Sequence, residues 1–249
     1  MNKKTTRKKP SKKAPLRKAK VKVQKKQTRT AKTKASGKTS TVQVDWPKAM
    51  ARLIKEYAGK KHPLEYQNRY QLVVAVVLSA QDSDRHINKV APPFFEKYPT
   101  LQSLSGVQAE ELYPLLSSVR GFRKKSTWLT TIAREVQTDD RIPTTMAELT
   151  KLPGIGRKSA SVIIRESGGP AEGIIVDLHV VRVSPRLGIA TTEKPDKIEK
   201  ELMAALPKDQ WGEAGMAISF LGREICRPTG PKCEICVMKT ECAYYKNLK

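Results

Sequence analysis

Lys158, Asp177 and four cysteines are the residues whose types and positions could do chemistry. Lys158 belongs to Leu152-Pro153-Gly154-Ile155-Gly156-Arg157-Lys158-Ser159-Ala160, a tight glycine turn between two expected helices. Pro143-Thr144-Thr145 supplies a start signal for the first, over residues 146–151, and an apolar-faced second helix continues over 159–165. Two glycines one residue apart let the backbone approach another molecule closely and turn amide N–H groups outward. The following helix N-terminus adds partial positive charge, and the combination suits a phosphate. In that first turn the dipole disfavours an ammonium and Arg157 adds a like charge. Both favour a neutral Lys158 amine, a nucleophile toward a sugar carbon or an aldehyde. A plain helix–helix connection with a surface lysine has the same pattern, so the turn alone leaves both open. A dinucleotide fingerprint does not fit, because its third glycine is replaced by Ser159 and no strand precedes the turn.

Asp177 follows in Ile174-Ile175-Val176-Asp177-Leu178-His179-Val180. An Asp ahead of an apolar helical run is an N-cap, worth roughly 1 kcal/mol. A capping carboxylate is also held rigidly, so if the two helices meet, it can assist departure of a base, stabilise a positive sugar and manage protons for Lys158. His179 reads as a packing or hydrogen-bonding residue.

The cysteines, Cys226, Cys233, Cys236 and Cys242, form C-x6-C-x2-C-x5-C within the last 24 residues. Clustering in an otherwise cysteine-free basic chain argues for one metal centre over two disulfides. Four thiolates suit zinc or a [4Fe–4S] cluster, and only Cys233 and Cys236 form the close pair that structural zinc usually uses twice.

These residues need elements to position them. From Asp45 onward apolar residues recur at three and four positions without sustained alternation, which predicts an all-α fold. Helices are expected to begin near Trp46, Gln67, Val107, Lys124, Thr145, Gly156, Asp177, Lys194 and Gln210. Another, from near Ser83, should break or kink at Pro92-Pro93. Residues 71–80 are apolar almost all round, as in a central buried helix, although a short buried strand shares the pattern. The polar Ser79-Ala80-Gln81-Asp82-Ser83-Asp84 that follows reads first as a cap and turn.

Net charge is +24, but 17 of the 48 Lys and Arg precede Asp45 with no acid among them, leaving 31 bases against 24 acids beyond. Residues 1–44 have little to bury, so a disordered basic tail is expected, an electrostatic handle for polyphosphate. Solubilising or targeting roles share this composition, and residues 3–13 would suit nuclear import in a eukaryote. No run approaches the about 18 apolar residues of a membrane span, and no apolar stretch follows the N-terminal charges as in a secretory signal. An intracellular protein without membrane contact is expected.

The hairpin with its lysine, the Val-Asp-x-His segment and the cysteine spacing, in this order, resemble endonuclease III of the helix-hairpin-helix DNA glycosylase superfamily, from about Trp46 to the C-terminus. The resemblance implies a six-helix barrel domain over residues 62–171 and a helical iron–sulfur cluster domain over 45–61 and 172–249. It implies a base-excision DNA glycosylase and abasic-site lyase, with Lys158 as the Schiff-base nucleophile and Asp177 as the catalytic carboxylate. Cys226, Cys233, Cys236 and Cys242 would hold a [4Fe–4S] cluster. The partner would be double-stranded DNA with a damaged base, usually an oxidised pyrimidine, or an abasic site. The damaged nucleotide would be flipped into a cleft between the domains. Gln81, from Leu-Ser-Ala-Gln, would enter the DNA near the vacated position. Leu152, Gly154, Ile155, Gly156 and Arg157 of the hairpin, with Phe122 and Arg123, would also meet DNA. A monomer is expected, in the bacterial cytoplasm or nucleoid, or in the nucleus if the source is eukaryotic.

Three departures from the family pattern bear on base preference. Asp82 replaces a small or hydroxyl residue and brings an acid near the lesion. Leu178 stands where Thr is common. The loop Gly121-Phe122-Arg123-Lys124-Lys125 is one residue short and lacks its Tyr. Among other readings, an adenine-mismatch glycosylase would lack the lysine and carry a further C-terminal domain, and a thymine- or uracil-mismatch enzyme usually has Tyr at the lysine position. A non-catalytic DNA-binding module would need neither Lys158 nor Asp177.

Overall fold

Tyr70 and every residue from Leu72 to Leu78 are buried, so a helix with no polar face occupies the middle of the molecule. The computed structural model describes residues 44–248; the expected basic tail lies, but for Val44, outside the described residues. These contain no strand, and the longer helices are α1 (Trp46–Glu56), α2 (Arg69–Ser79), α3 (Asp84–Lys97), α5 (Phe122–Val136), α7 (Arg157–Glu166), α8 (Leu178–Leu187), α9 (Pro195–Ala205) and α10 (Trp211–Glu224). Single-turn helices α4 (Tyr113–Leu116), α6 (Met146–Leu149) and α11 (Ala243–Lys246) complete the order. The buried segment is thus α2, a helix and not a strand. Each buried Val or Leu contributes about 1.5–3 kcal/mol, so this element anchors everything packed on it.

Around α2 pack α3, α5 and α7, while α4 lies against α3 and α5, and α6 against α7. A second set gathers on α10, which holds α1 on one side and α8 on another; α9 and α11 pack on α8. Five of the eleven starts follow side-chain caps: Asp45 for α1, Asn68 for α2, Ser83 for α3, Thr145 for α6 and Asp177 for α8 accept first-turn amides. No helix among the described residues is long and apolar enough to cross a membrane.

Two local expectations are corrected. The helix expected to break or kink at Pro92-Pro93 does not break but runs on to Lys97. Both prolines are exposed, and the missing amides would have faced the carbonyls of Asn88 and Lys89 on a flank that water can reach. The helix expected from Val107 is a 3-10 turn over Ala109–Leu112 followed by the single turn of α4.

Candidate active site and thiol cavity

Gly154 has φ +82°, and a Cβ there would lie 2.5 Å from the Trp128 ring of α5. The turn between α6 and α7 therefore needs this glycine for its own fold, both by backbone conformation and by space. Gly156, extended and open on its side-chain side, caps α7 without a side chain. The amides of Gly154 and Gly156 donate to no acceptor among the described residues. Leu152 and Ile155 are buried, so any contact they make outside the protein comes from backbone. Arg157 is exposed, but its guanidinium forks onto Glu199 of α9, with Nε–Oε2 3.2 Å and Nη2–Oε1 2.8 Å. That pairing offsets the like charge expected beside Lys158. Lys158 is exposed and makes no ion pair among the described residues.

Lys158 shares a cavity of about 30 Å3 with Asp177, and the lining also takes in His62, Ser79, Asp84 and Arg223. Such a volume suits about a water molecule, not a base. Its walls come from both helical sets: α2, α3 and α7 on one side, the start of α8 and α10 on the other.

Asp177 accepts three hydrogen bonds. Its Oδ1 accepts the amides of His179 (2.8 Å) and Val180 (2.9 Å), and its Oδ2 accepts the Ser219 hydroxyl (2.6 Å). Arg223 Nη2 lies 3.8 Å from Oδ2 and 3.1 Å from Asp84 Oδ2, while its Nε donates to Ser219 Oγ at 3.4 Å. Ser219 and Arg223 stand four residues apart on α10 and so share a face. His62 Nδ1 accepts the Leu64 amide at 3.1 Å. Burial holds its imidazole below the usual histidine range, with Lys158 and Arg165 acting in the same direction. His179 is likewise lowered by burial. Leu178, 71% exposed, presents an apolar side chain beside Asp177.

Sequence reasoning singled out Lys158 and Asp177, and the fold brings them to one cavity. It missed His62, Asp84, Ser219 and Arg223; only the i, i+4 spacing of Ser219 and Arg223 carried a signal. Asp82, expected as an acid near the lesion, is absent from the cavity lining and faces other groups. Gln81 is exposed with φ +59°. Phe122 is half-buried edge-on against Tyr113, and the exposed Arg123 lies 5.5 Å over its ring.

The four cysteines line a second, smaller cavity of about 20 Å3, with Leu187, Leu221, Ile225, Tyr244 and Tyr245 as its apolar walls. All four are free thiols. Arg186 Nη1 donates to Cys226 Sγ at 3.7 Å, and Cys242 Sγ donates to the Arg186 carbonyl at 3.4 Å. Burial pushes the Cys236 thiol up to about 11 and raises those of Cys233 and Cys242, and neighbouring cysteines push the same way. Thiolates in such a place need a cation beside them. No three His, Cys, Asp or Glu among the described residues are gathered as a ready shell for a metal ion.

Residues 74–208 match the family model of the HhH-GPD superfamily base excision DNA repair proteins. Endonuclease III of Synechocystis is 36% identical over 192 residues, 76% of this chain and 88% of that protein. Endonuclease III of Bacillus subtilis is 36% identical over 182 residues, 72% of this chain and 83% of that protein. Among solved structures, a non-covalent endonuclease III–DNA complex superposes with TM-score 0.72 at 34% identity, covering 81% of this chain and 95% of that one. A trapped endonuclease III–DNA covalent intermediate gives TM-score 0.72 at 33% identity with the same coverage. A thermostable thymine-DNA glycosylase, at 20% identity and TM-score 0.68, shares the fold.

Proposed function

Because the chain belongs to the HhH-GPD superfamily of base excision DNA repair proteins, in its endonuclease III family, we propose that it repairs duplex DNA with Lys158 as nucleophile and Asp177 as the assisting carboxylate. The protein is a base-excision DNA glycosylase and abasic-site lyase. The observation that carries the residue assignment is the shared cavity: an unpaired amine from α7 and a carboxylate fixed at the start of α8 line one space between two helical sets.

In this reading the Lys158 amine attacks C1′ of an extruded nucleotide, and the base departs with the bonding electrons and takes up a proton. Asp177 stabilises the positive sugar as the glycosidic bond breaks and accepts protons released from the amine. The ring-opened sugar is then linked to Lys158 as an iminium. Loss of a C2′ proton expels the 3′ phosphate by β-elimination, and water releases the lysine. A base exceeds the cavity of about 30 Å3, which adjoins a larger one of about 470 Å3 across Asp84 and Arg223, and an extruded nucleotide would occupy more than the smaller cavity alone. The substrates are duplexes with an oxidised pyrimidine or an abasic site, bound by a monomer.

Hairpin amides from Gly154 and Gly156 would hold a phosphate, and the exposed Gln81 and Arg123 would meet the opened duplex. Cys226, Cys233, Cys236 and Cys242 fit a [4Fe–4S] cluster: four free thiols line one apolar-walled cavity whose burial leaves their thiolates in need of a cation. Such a cluster would supply structural cross-linking and charge compensation. The chain then divides into a six-helix barrel, residues 62–171, and a cluster domain, 45–61 with 172–249. Borohydride added during turnover on abasic DNA tests the assignment, since it should trap a covalent protein–DNA complex that Lys158→Gln fails to form.

A further inference from the structure

Gln81 occupies the left-handed region at φ +59°, one of two non-glycine residues among those described with a positive φ. Side chains rarely adopt this conformation, and a turn needing only to join α2 to α3 would take glycine there. Its side chain is exposed and bonds to no described residue, so its own contacts do not hold it. Neighbouring residues do. Lys125 of α5, 4% exposed, donates from Nζ to the carbonyls of Leu78 and Ala80, both at 2.7 Å, and so pins the strand of backbone leading into Gln81. On the other side, Asp82 Oδ1 accepts the Ser83 amide (2.8 Å) and faces His86 Nδ1 (2.8 Å). Its Oδ2 reaches across to the amide of Arg120 at 3.1 Å. Burial works against the Asp82 charge, but the bonds from Arg120, His86 and Ser83 outweigh it and hold the carboxyl below its usual range.

Arg120 precedes Gly121, whose φ of +69° starts α5. Two turns with left-handed backbone, one carrying Gln81 and one leading into Phe122 and Arg123 of α5, are thus joined directly by the Asp82 carboxylate, beside the Lys125 bonds that tie α5 to the end of α2. Helix α5 also carries Trp128, against which Gly154 of the hairpin packs.

We propose that Asp82 is a positioning residue that locks the Gln81 turn to the Arg120–Gly121 turn, so that both enter the opened duplex as one rigid body. This rests on the reading above that the two turns meet DNA. A serine at this position is too short to reach Arg120. Preorganisation of this kind matters where the base stack must be opened and little where it is already open.

Asp82→Ser in the full-length protein provides the test. Base excision from a fully paired duplex should fall about tenfold or more, with cleavage of the same lesion inside a preformed unpaired bubble changed by less than about threefold. Asp82→Asn, which keeps an oxygen for Arg120, should lose less. By NMR hydrogen exchange, the Arg120 amide should be protected in the parent protein and exchange faster in Asp82→Ser. Equal slowing on both substrates, faster cleavage of the paired duplex, or unchanged Arg120 exchange would each overturn the proposal. If the parent protein cleaves neither DNA, the repair assignment has failed instead, and the exchange result still decides whether Asp82 ties the turns.

Discussion

The two walls of the cleft are built in opposite ways. At the start of α7 the cap is a glycine, the nearby arginine is paired away onto Glu199, and Lys158 stands exposed and unpaired. At the start of α8 the carboxylate of Asp177, its side chain 12% exposed, is fixed by two amides and the Ser219 hydroxyl, with Arg223 nearby. The difference suits the roles proposed above for the two residues. A nucleophile must travel to a carbon, become covalently bound and be released, and a tightly bonded amine would have to break those bonds each time. A carboxylate that answers developing charge works best without reorganising.

The walls also differ in what supports them. The lysine wall rests on the hairpin and on Trp128 of α5. The aspartate wall continues along α8 to Arg182, which donates to the carbonyls of Cys226 (3.2 Å) and Gly222 (2.8 Å), and to Arg186, which donates to that of Arg227 (2.8 Å). The cysteine region therefore braces the carboxylate more directly than the amine.

The contrast predicts a graded series. Lys158→Gln should abolish both borohydride trapping and β-elimination on abasic duplexes while lesion-DNA affinity, read by fluorescence anisotropy, is retained; trapping at the parental rate would move the nucleophile elsewhere. For Asp177→Asn, single-turnover base removal should slow by about 10²-fold or more, with strand cleavage at a preformed abasic site far less affected. Asparagine keeps the cap, so the circular-dichroism melt should barely move. Equal slowing of the two steps would erase the division between the walls.

Cys236→Ser, or iron removal by a chelator, should bleach the yellow-brown absorption near about 400 nm expected of thiolate-bound iron–sulfur. It should then depress base removal more than trapping, because it loosens the aspartate wall. Ser219→Ala is milder: it removes one bond to a charged group, worth about 1.5–3 kcal/mol, and should slow base removal roughly tenfold with trapping unchanged. The smallest effect concerns pH. His62 and His179 are lowered by burial, so below the free value of 6.5 the unfolded chain takes up protons that the folded one refuses. Stability is complete above that value and declines as pH falls toward the folded values. His62→Gln should flatten the fall of Tm between roughly pH 7 and pH 5.

Helical elements from α5 onward are legible in the sequence wherever a cap residue precedes a 3.6-residue apolar pattern, as at Thr145, Gly156 and Asp177. Val107 misled because its apolar spacing continues through two short turns, and Pro92-Pro93 do not end α3 because exposed prolines spare its buried face. Lys158, Asp177 and the cysteines were visible because each is chemically unusual where it stands. Ser219 and Arg223 were not, since a serine and an arginine four residues apart on a helix are commonplace until a carboxylate from 42 residues earlier is laid against them.

Local chemistry along the chain was enough to settle the helix, the glycine turn, the cap and the cysteine spacing, because each depends on residues within a few positions of one another. Packing settled the rest. It turned Asp82 away from the cavity to Arg120, drew Arg157 onto Glu199, buried Leu152 and Ile155, and set Ser219 against Asp177. Those outcomes depend on which helix faces cross, and crossings are selected by the burial of side chains far apart in sequence, which no local pattern encodes.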